Sequence, residues 1–223
     1  MDKLKNDLII SIRINLEKAH VENVPEYMKR LHNNSSNDDI FQDLYLEGRA
    51  ALMFSQAGYG VTFRESPDLA LKFNNGQCYV EVKHFREKLQ DKIDNIRMIS
   101  LGNELLASYG DTYNLEGKYA WEQVYDVAIK KKNQYKANAP NILVVESSSN
   151  SVEDIEIPNV IYSIDEDVVS GKCLELAKLN GILLVQDWYN ISQWRQVNFY
   201  RTSKPAVSLS RELSLSLENI RFG

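Results

Sequence analysis

The sequence predicts an α/β protein built on a mixed sheet, and three observations predict it. Apolar residues recur at helical spacing over residues 4–20 and again from Asp38 to about Gly58. Three short strand-like runs follow, the last two separated by Asn74-Asn75-Gly76. A continuous apolar run, Ile142-Leu143-Val144-Val145, comes after a further amphipathic stretch. A period of 3.6 argues for helix and short apolar runs between turn signals argue for strand. An uninterrupted apolar run suits a strand covered on both faces.

Taken in order, Leu4, Leu8, Ile9, Ile12 and Leu16 mark a first helix. Pro25 suits the first turn of a second helix reaching about His32, where its missing N–H removes no helical bond. Residues 33–37 read as a loop, and Asp38-Asp39 open a third helix whose positive end favours acidic side chains. That helix carries Phe41, Leu44, Tyr45, Ala51, Leu52 and Phe54. Residues 59–65, 69–73 and 78–85 are strands, and Asn-Gly between the last two predicts a hairpin. Residues 86–118 read as a charged insertion. Trp121, Val124, Tyr125, Ala128 and Ile129 place a helix over 121–135, which leads into the Ile142 strand. A loop over 147–151, a helix over 165–179, an edge hairpin of 181–188 with 196–201, and a weakly helical tail from Ser210 complete the chain. The division expected is a single unit: an N-terminal helical extension (1–37), a core (38–146) interrupted by 86–118, and C-terminal sheet and helix additions (147–223).

At 223 residues and 43% hydrophobic, the chain suits one compact domain. No run of 18 apolar residues exists to span a membrane, and the charged Met1–Asn6 start predicts no signal peptide. Two cysteines, Cys78 and Cys173, exclude a disulfide framework, and three scattered histidines give a zinc site no support. A cytoplasmic protein is expected. The formal net charge of −5 argues against non-specific coating of nucleic acid. It leaves room for an enzyme that gathers carboxylates at a metal and needs only a local basic rim. Lys130, Lys131, Lys132 and Lys136, then Arg195, Arg201 and Lys204, are candidates for that rim, with solvated surface charge as the alternative. No P-loop, Gly-x-Gly-x-x-Gly or nucleophile elbow is present.

The chemistry concentrates around Ser66-Pro67-Asp68 and Glu81-Val82-Lys83. Residues two apart in a strand share a face, so Glu81 and Lys83 project together while Val80 and Val82 face the other way. Asp68 precedes them at hairpin distance. Two carboxylates and an ammonium can hold a hard cation and activate a water, the minimum equipment for metal-assisted phosphodiester hydrolysis. A Glu-x-Lys triplet alone arises by chance about once in a chain this long. Its weight therefore rests on Glu47 in the third helix and Gln134 before the Ile142 strand. Blander readings are a surface ion pair for Glu81 and Lys83, a solvated helix edge for Glu47 and Arg49, a turn residue for Asp68, and a surface amide for Gln134. Trp121, Trp188, Tyr189 and Trp194 either stack on unpaired bases or fill the core.

In this order, Glu47, Pro67-Asp68, Glu81-Val82-Lys83 and Lys131-Lys132-Asn133-Gln134 resemble the PD-(D/E)xK, or restriction-endonuclease-like, nuclease superfamily. The resemblance covers residues 38–146. It implies a three-layer αβββαβ core with a mixed central sheet, carrying a magnesium-dependent nuclease whose foremost partner is DNA. Asp68, Glu81 and the backbone carbonyl of Val82 would bind Mg²⁺ or Mn²⁺, with Glu47 joining directly or through water. Lys83 would hold or help deprotonate the attacking water, and Gln134 would orient a ligand. Lys131, Lys132 and Lys136 would meet the nucleic-acid backbone. A non-catalytic module binding nucleic acid or protein on the same fold is the alternative. No membrane partner is implied, and a homodimer is left open.

Overall fold

In the computed structural model, residues 3–74, 76–85, 120–147, 154–187 and 195–220 are described. They form an α/β architecture with helices on both faces of one open, mixed six-stranded sheet. Helix α1 spans Lys3–Lys18, α2 Val24–Asn33 and α3 Asp38–Gln56. Strands β1 (Gly60–Phe63), β2 (Leu69–Phe73) and β3 (Gly76–Phe85) follow. Then come α4 (Ala120–Lys131), β4 (Asn141–Ser147), α5 (Ile157–Val169), β5 (Leu179–Asp187), β6 (Arg195–Arg201) and α6 (Arg211–Glu218). The expected insertion, Trp188, Tyr189, Trp194 and the 148–151 part of the serine loop lie outside the described residues.

Strand order follows chain order. β1, β2 and β3 pair antiparallel, β3–β4 and β4–β5 parallel, and β5–β6 antiparallel. Position in the sheet explains the sequence pattern. β4 lies between two parallel neighbours with both faces covered, so Ile142 to Val145 can be apolar throughout. Ile142 and Val144 pack with α1–α3, while Leu143 and Val145 pack with α4 and α5. By the same alternation, Val80 and Val82 of β3 face α1–α3, and Glu81 and Lys83 face the α4 layer.

Local chemistry sets the helix ends. The Asn37 side chain accepts from the N–H groups of Asp39 and Ile40 at the start of α3, satisfying two donors that lack helical partners. Where α2 crosses α3, the Tyr27 ring stacks on Phe63 at 4.1 Å and its hydroxyl donates to the Leu44 carbonyl at 2.9 Å. Gly48 makes this crossing possible, because a Cβ there would run into the Tyr27 hydroxyl. Arg49 Nη1 donates to Glu146 Oε1 at 2.8 Å and ties α3 to the end of β4.

Two expectations shift. The helix expected over 165–179 is instead α5 at Ile157–Val169, followed by a 3₁₀ turn at Leu174–Lys178. Gly171, at φ 77°, ends the helical path between them. Helix α4 ends at Lys131, so Lys132 and Gln134 sit in the turn that closes it.

Candidate functional site

The site forms where β2 leaves β3. The β2–β3 ladder ends at Leu69 opposite Val80, whereas β3 continues along β4 to Phe85. The amide of Val82 therefore points to an edge where the β2 ladder has ended. The Asp68 carboxylate takes its place: Oδ2 accepts from the Val82 N–H at 2.8 Å. Hydrogen bonds to an ionised acceptor are the strong ones, so Asp68 closes the ladder firmly. The Asp68 carbonyl in turn accepts from the Arg64 N–H at 2.9 Å, which fixes the turn carrying it. In a strand, a residue's C=O leaves on the same edge as its N–H, so the Val82 carbonyl shares the Asp68 side.

Glu81 projects toward α4 and is 1% exposed. Lys131, the last residue of α4, donates to Glu81 Oε2 at 2.6 Å. Glu81 Oε1 is buried and accepts no hydrogen bond. From the other layer, α3 supplies Glu47, itself only 9% exposed and bonded by Arg30 Nη2 of α2 at 2.8 Å. The reading of Glu47 as a solvated helix edge therefore gives way to a buried ion pair.

These groups feel one another. Burial first, then the Asp68 carboxylate, push Glu81 from the ordinary 4.5 up to about 7, with Lys131 pulling the other way. Burial, then Asp68, push Glu47 up to about 8 against the pull of Arg30 and Lys131. Burial works against the charge of Lys131, but Asp68, Glu81 and Glu47 outweigh it and hold the ammonium above the ordinary lysine range. Glu81 and Lys131 thus do not shift as an isolated ion pair would. The lysine answers three carboxylates, whereas each carboxylate must share it. The cluster is short of positive charge.

Glu47, Asp68, Glu81 and Lys131 are the expected residues that the structure brings into one electrostatic cluster. Lys83 shares the Glu81 face but reaches Asp43 of α3 at 3.4 Å, with both side chains more than a third exposed. Such a pair contributes little and parts easily. Gln134 lies in the turn after α4, its N–H bonded to the Lys131 carbonyl at 2.8 Å, and its buried Oε1 also lacks a donor. Lys132 reaches the Cys173 sulfur at 3.5 Å, and the Lys136 ammonium lies 6.0 Å from the Tyr79 ring centre. Trp121 packs partly buried between α4 and its neighbours, on the side of core filling. Sequence reasoning missed Arg30 and Asp43, the partners of Glu47 and Lys83. Neither carries a spacing signal, because each meets its partner across a helix crossing or a sheet edge.

Among the described residues, no three Asp, Glu, His or Cys side chains are spaced to hold a metal ion as they stand. The contacts explain this. Lys131 occupies Glu81, Arg30 occupies Glu47, and the Val82 amide occupies Asp68. The chemistry of the donors nevertheless fits a hard divalent cation. They are oxygens only, they repel one another, and one buried carboxylate oxygen has no donor.

Comparison with known proteins adds no relative: no family model, no curated protein and no solved structure matches the chain.

Proposed function

We propose that the protein is a metal-dependent nuclease that hydrolyses phosphodiester bonds, foremost a DNA endonuclease, with a restriction-endonuclease-like core. The observation that carries the reading is the convergence of Glu47 from α3, Asp68 from the turn before β2, Glu81 from β3 and Lys131 from α4. The order α3-β1-β2-β3-α4-β4 along that core supports it.

Asp68 and Glu81, with the Val82 carbonyl, would hold Mg²⁺ or Mn²⁺. Bound there, such an ion polarises a phosphodiester and makes a water more acidic. The residues supply the rest. Lys131 brings a fixed ammonium to the centre, where it offsets the negative charge that builds on a phosphate under attack. Lys83, released from its weak contact with Asp43, holds the water on the face it shares with Glu81. Glu47, its carboxyl raised to about 8 and so mostly protonated at neutral pH, can give and recover a proton beside Asp68. Arg30 keeps it in place.

The test compares wild type with Asp68→Asn and Lys83→Ala on plasmid and single-stranded DNA in Mg²⁺ and Mn²⁺. The expected outcome is cleavage by wild type and loss of it by at least a hundredfold in both variants, the lower end of what one acid–base group supplies. Equal activity in all three proteins overturns the proposal. A non-catalytic module is favoured by one observation: every carboxylate of the cluster already has a protein partner. Calorimetry separates the two readings. Mn²⁺ binding that disappears in Glu81→Ala supports the nuclease, and no Mn²⁺ binding at all supports the module.

A further inference from the structure

The cations nearest the carboxylate cluster are largely committed. Arg30 is paired to Glu47, Lys83 to Asp43, and Lys131 to Glu81. Arg64 and Lys136 are not. Neither makes an ion pair among the described residues, and both gather on Tyr79. The Arg64 guanidinium lies 5.8 Å and the Lys136 ammonium 6.0 Å from the centre of that ring. The two charges are therefore within about 12 Å of each other, a span that takes in neighbouring phosphates of one strand.

Both are anchored to the site by their backbones. The Arg64 N–H donates to the carbonyl of Asp68. Lys136 exchanges hydrogen bonds with Asn141, its N–H donating to Oδ1 at 2.8 Å and its carbonyl accepting from Nδ2 at 2.8 Å. Asn141 is 1% exposed and also bonds the carbonyls of Ala139 and Lys178, so the Lys136 turn is tied into the sheet. Tyr79 belongs to β3 and projects from the same face as Glu81, two residues on. A ring holding two cations also limits their rotamer freedom, so less entropy is lost when a ligand binds them.

The geometry points to Arg64, Tyr79 and Lys136 as a phosphate-binding subsite that seats the nucleic-acid backbone next to the bond cleaved at Asp68 and Glu81. It rests on the nuclease reading and extends it. Arg64 and Lys136 take successive phosphates, and Tyr79 sets their separation. The subsite reads no base and confers affinity and register.

Anisotropy of fluorescein-labelled oligonucleotides, single-stranded and duplex, in EDTA tests it on the full chain. The proteins are wild type, Arg64→Gln/Lys136→Gln, and Arg13→Gln/Lys18→Gln, which removes the same charge from α1. Loss of two phosphate contacts lowers the slope of log affinity against log salt by about 1.5 and weakens binding by about tenfold at moderate salt. The α1 variant stays near wild type. In cleavage assays the Arg64/Lys136 variant raises KM and leaves kcat unchanged, with an unchanged melting temperature. Equal losses in both double variants, or none in the Arg64/Lys136 variant while wild type binds and cleaves, overturn the subsite alone. A wild type that neither binds nor cleaves any of these DNAs overturns the nuclease reading and the subsite with it.

Discussion

Asp68 answers two demands at once. Its carboxylate closes the ladder at Val82 and stands among the site's negative charges. The two roles separate by substitution. Asp68→Ala leaves a buried amide without a partner, which costs about 1–3 kcal/mol. Asp68→Asn keeps an acceptor oxygen and discards the charge. Denaturant melts are expected to place the asparagine variant near wild type and the alanine variant below it by that amount, with both inactive. The raised carboxyls make a second prediction. Glu81 and Glu47 bind protons more tightly folded than unfolded, so the stability they contribute is fully present below about pH 4.5. It is lost as pH rises through about 7 for Glu81 and about 8 for Glu47. Melting temperature should fall by a few degrees across that window, a few degrees corresponding to about 1 kcal/mol in a chain this size. Glu81→Gln flattens the fall, and added Mn²⁺ restores part of it. A profile that rises from pH 5 to 8 contradicts the assignment.

At the scale of elements, the α2–α3 crossing decides whether Arg30 can reach Glu47. Gly48, the next residue after Glu47, faces the Tyr27 hydroxyl, with Tyr27 Cζ at 3.0 Å and Ile12 Cγ1 at 3.1 Å from where a Cβ would stand. Gly48→Ala therefore forces the helices apart, at a cost of about 1–3 kcal/mol typical of overpacking. Tyr27→Phe removes the blocking oxygen along with its bond to Leu44. A double-mutant cycle by chemical denaturation is expected to show that Gly48→Ala costs less in the phenylalanine background. Equal costs in both backgrounds would place the strain elsewhere.

For the molecule as a whole, much of the fold was legible because sheet position leaves a periodic trace. β4, covered on both faces, reads as an unbroken apolar run, and the β2–β3 turn is marked by Asn-Gly. The helix expected over 165–179 was misplaced, although α5 carries its own boundary signals: Pro158 lies in its first turn, as Pro25 does in α2, and Gly171 ends its path. The residues after Gly171 form only a 3₁₀ turn, so the expected helix over 165–179 overlaps α5 at its end alone. The site was legible to the extent that Glu47 and Glu81 lie on periodic elements and Asp68 in the turn just before one. Arg30 and Asp43 were not, and neither was the pairing of the expected Lys131 with Glu81. Lys131 and Glu81 meet across 50 residues of chain, Lys83 and Asp43 across 40, and Arg30 and Glu47 across a helix crossing. Such meetings are set by three-dimensional packing, and no local pattern encodes them. The same distance orders assembly: the β2–β3 hairpin closes a short loop, whereas Glu81 gains Lys131 only after a long one closes, which is the slower event.

The Val82 amide, held by a side chain where its neighbours are held by a strand, has a consequence for observation. Its nitrogen lies 2.8 Å from a carboxylate oxygen, so its proton senses that group directly. Anything that draws on that carboxylate, whether a proton, a cation or a substrate's arrival, loosens or repolarises this one N–H. The bonds of the adjoining ladder stay as they are. The protein therefore carries its own spectroscopic probe at the centre of the site. The probe is a single backbone resonance whose shift and exchange rate report occupancy without label, substrate or turnover.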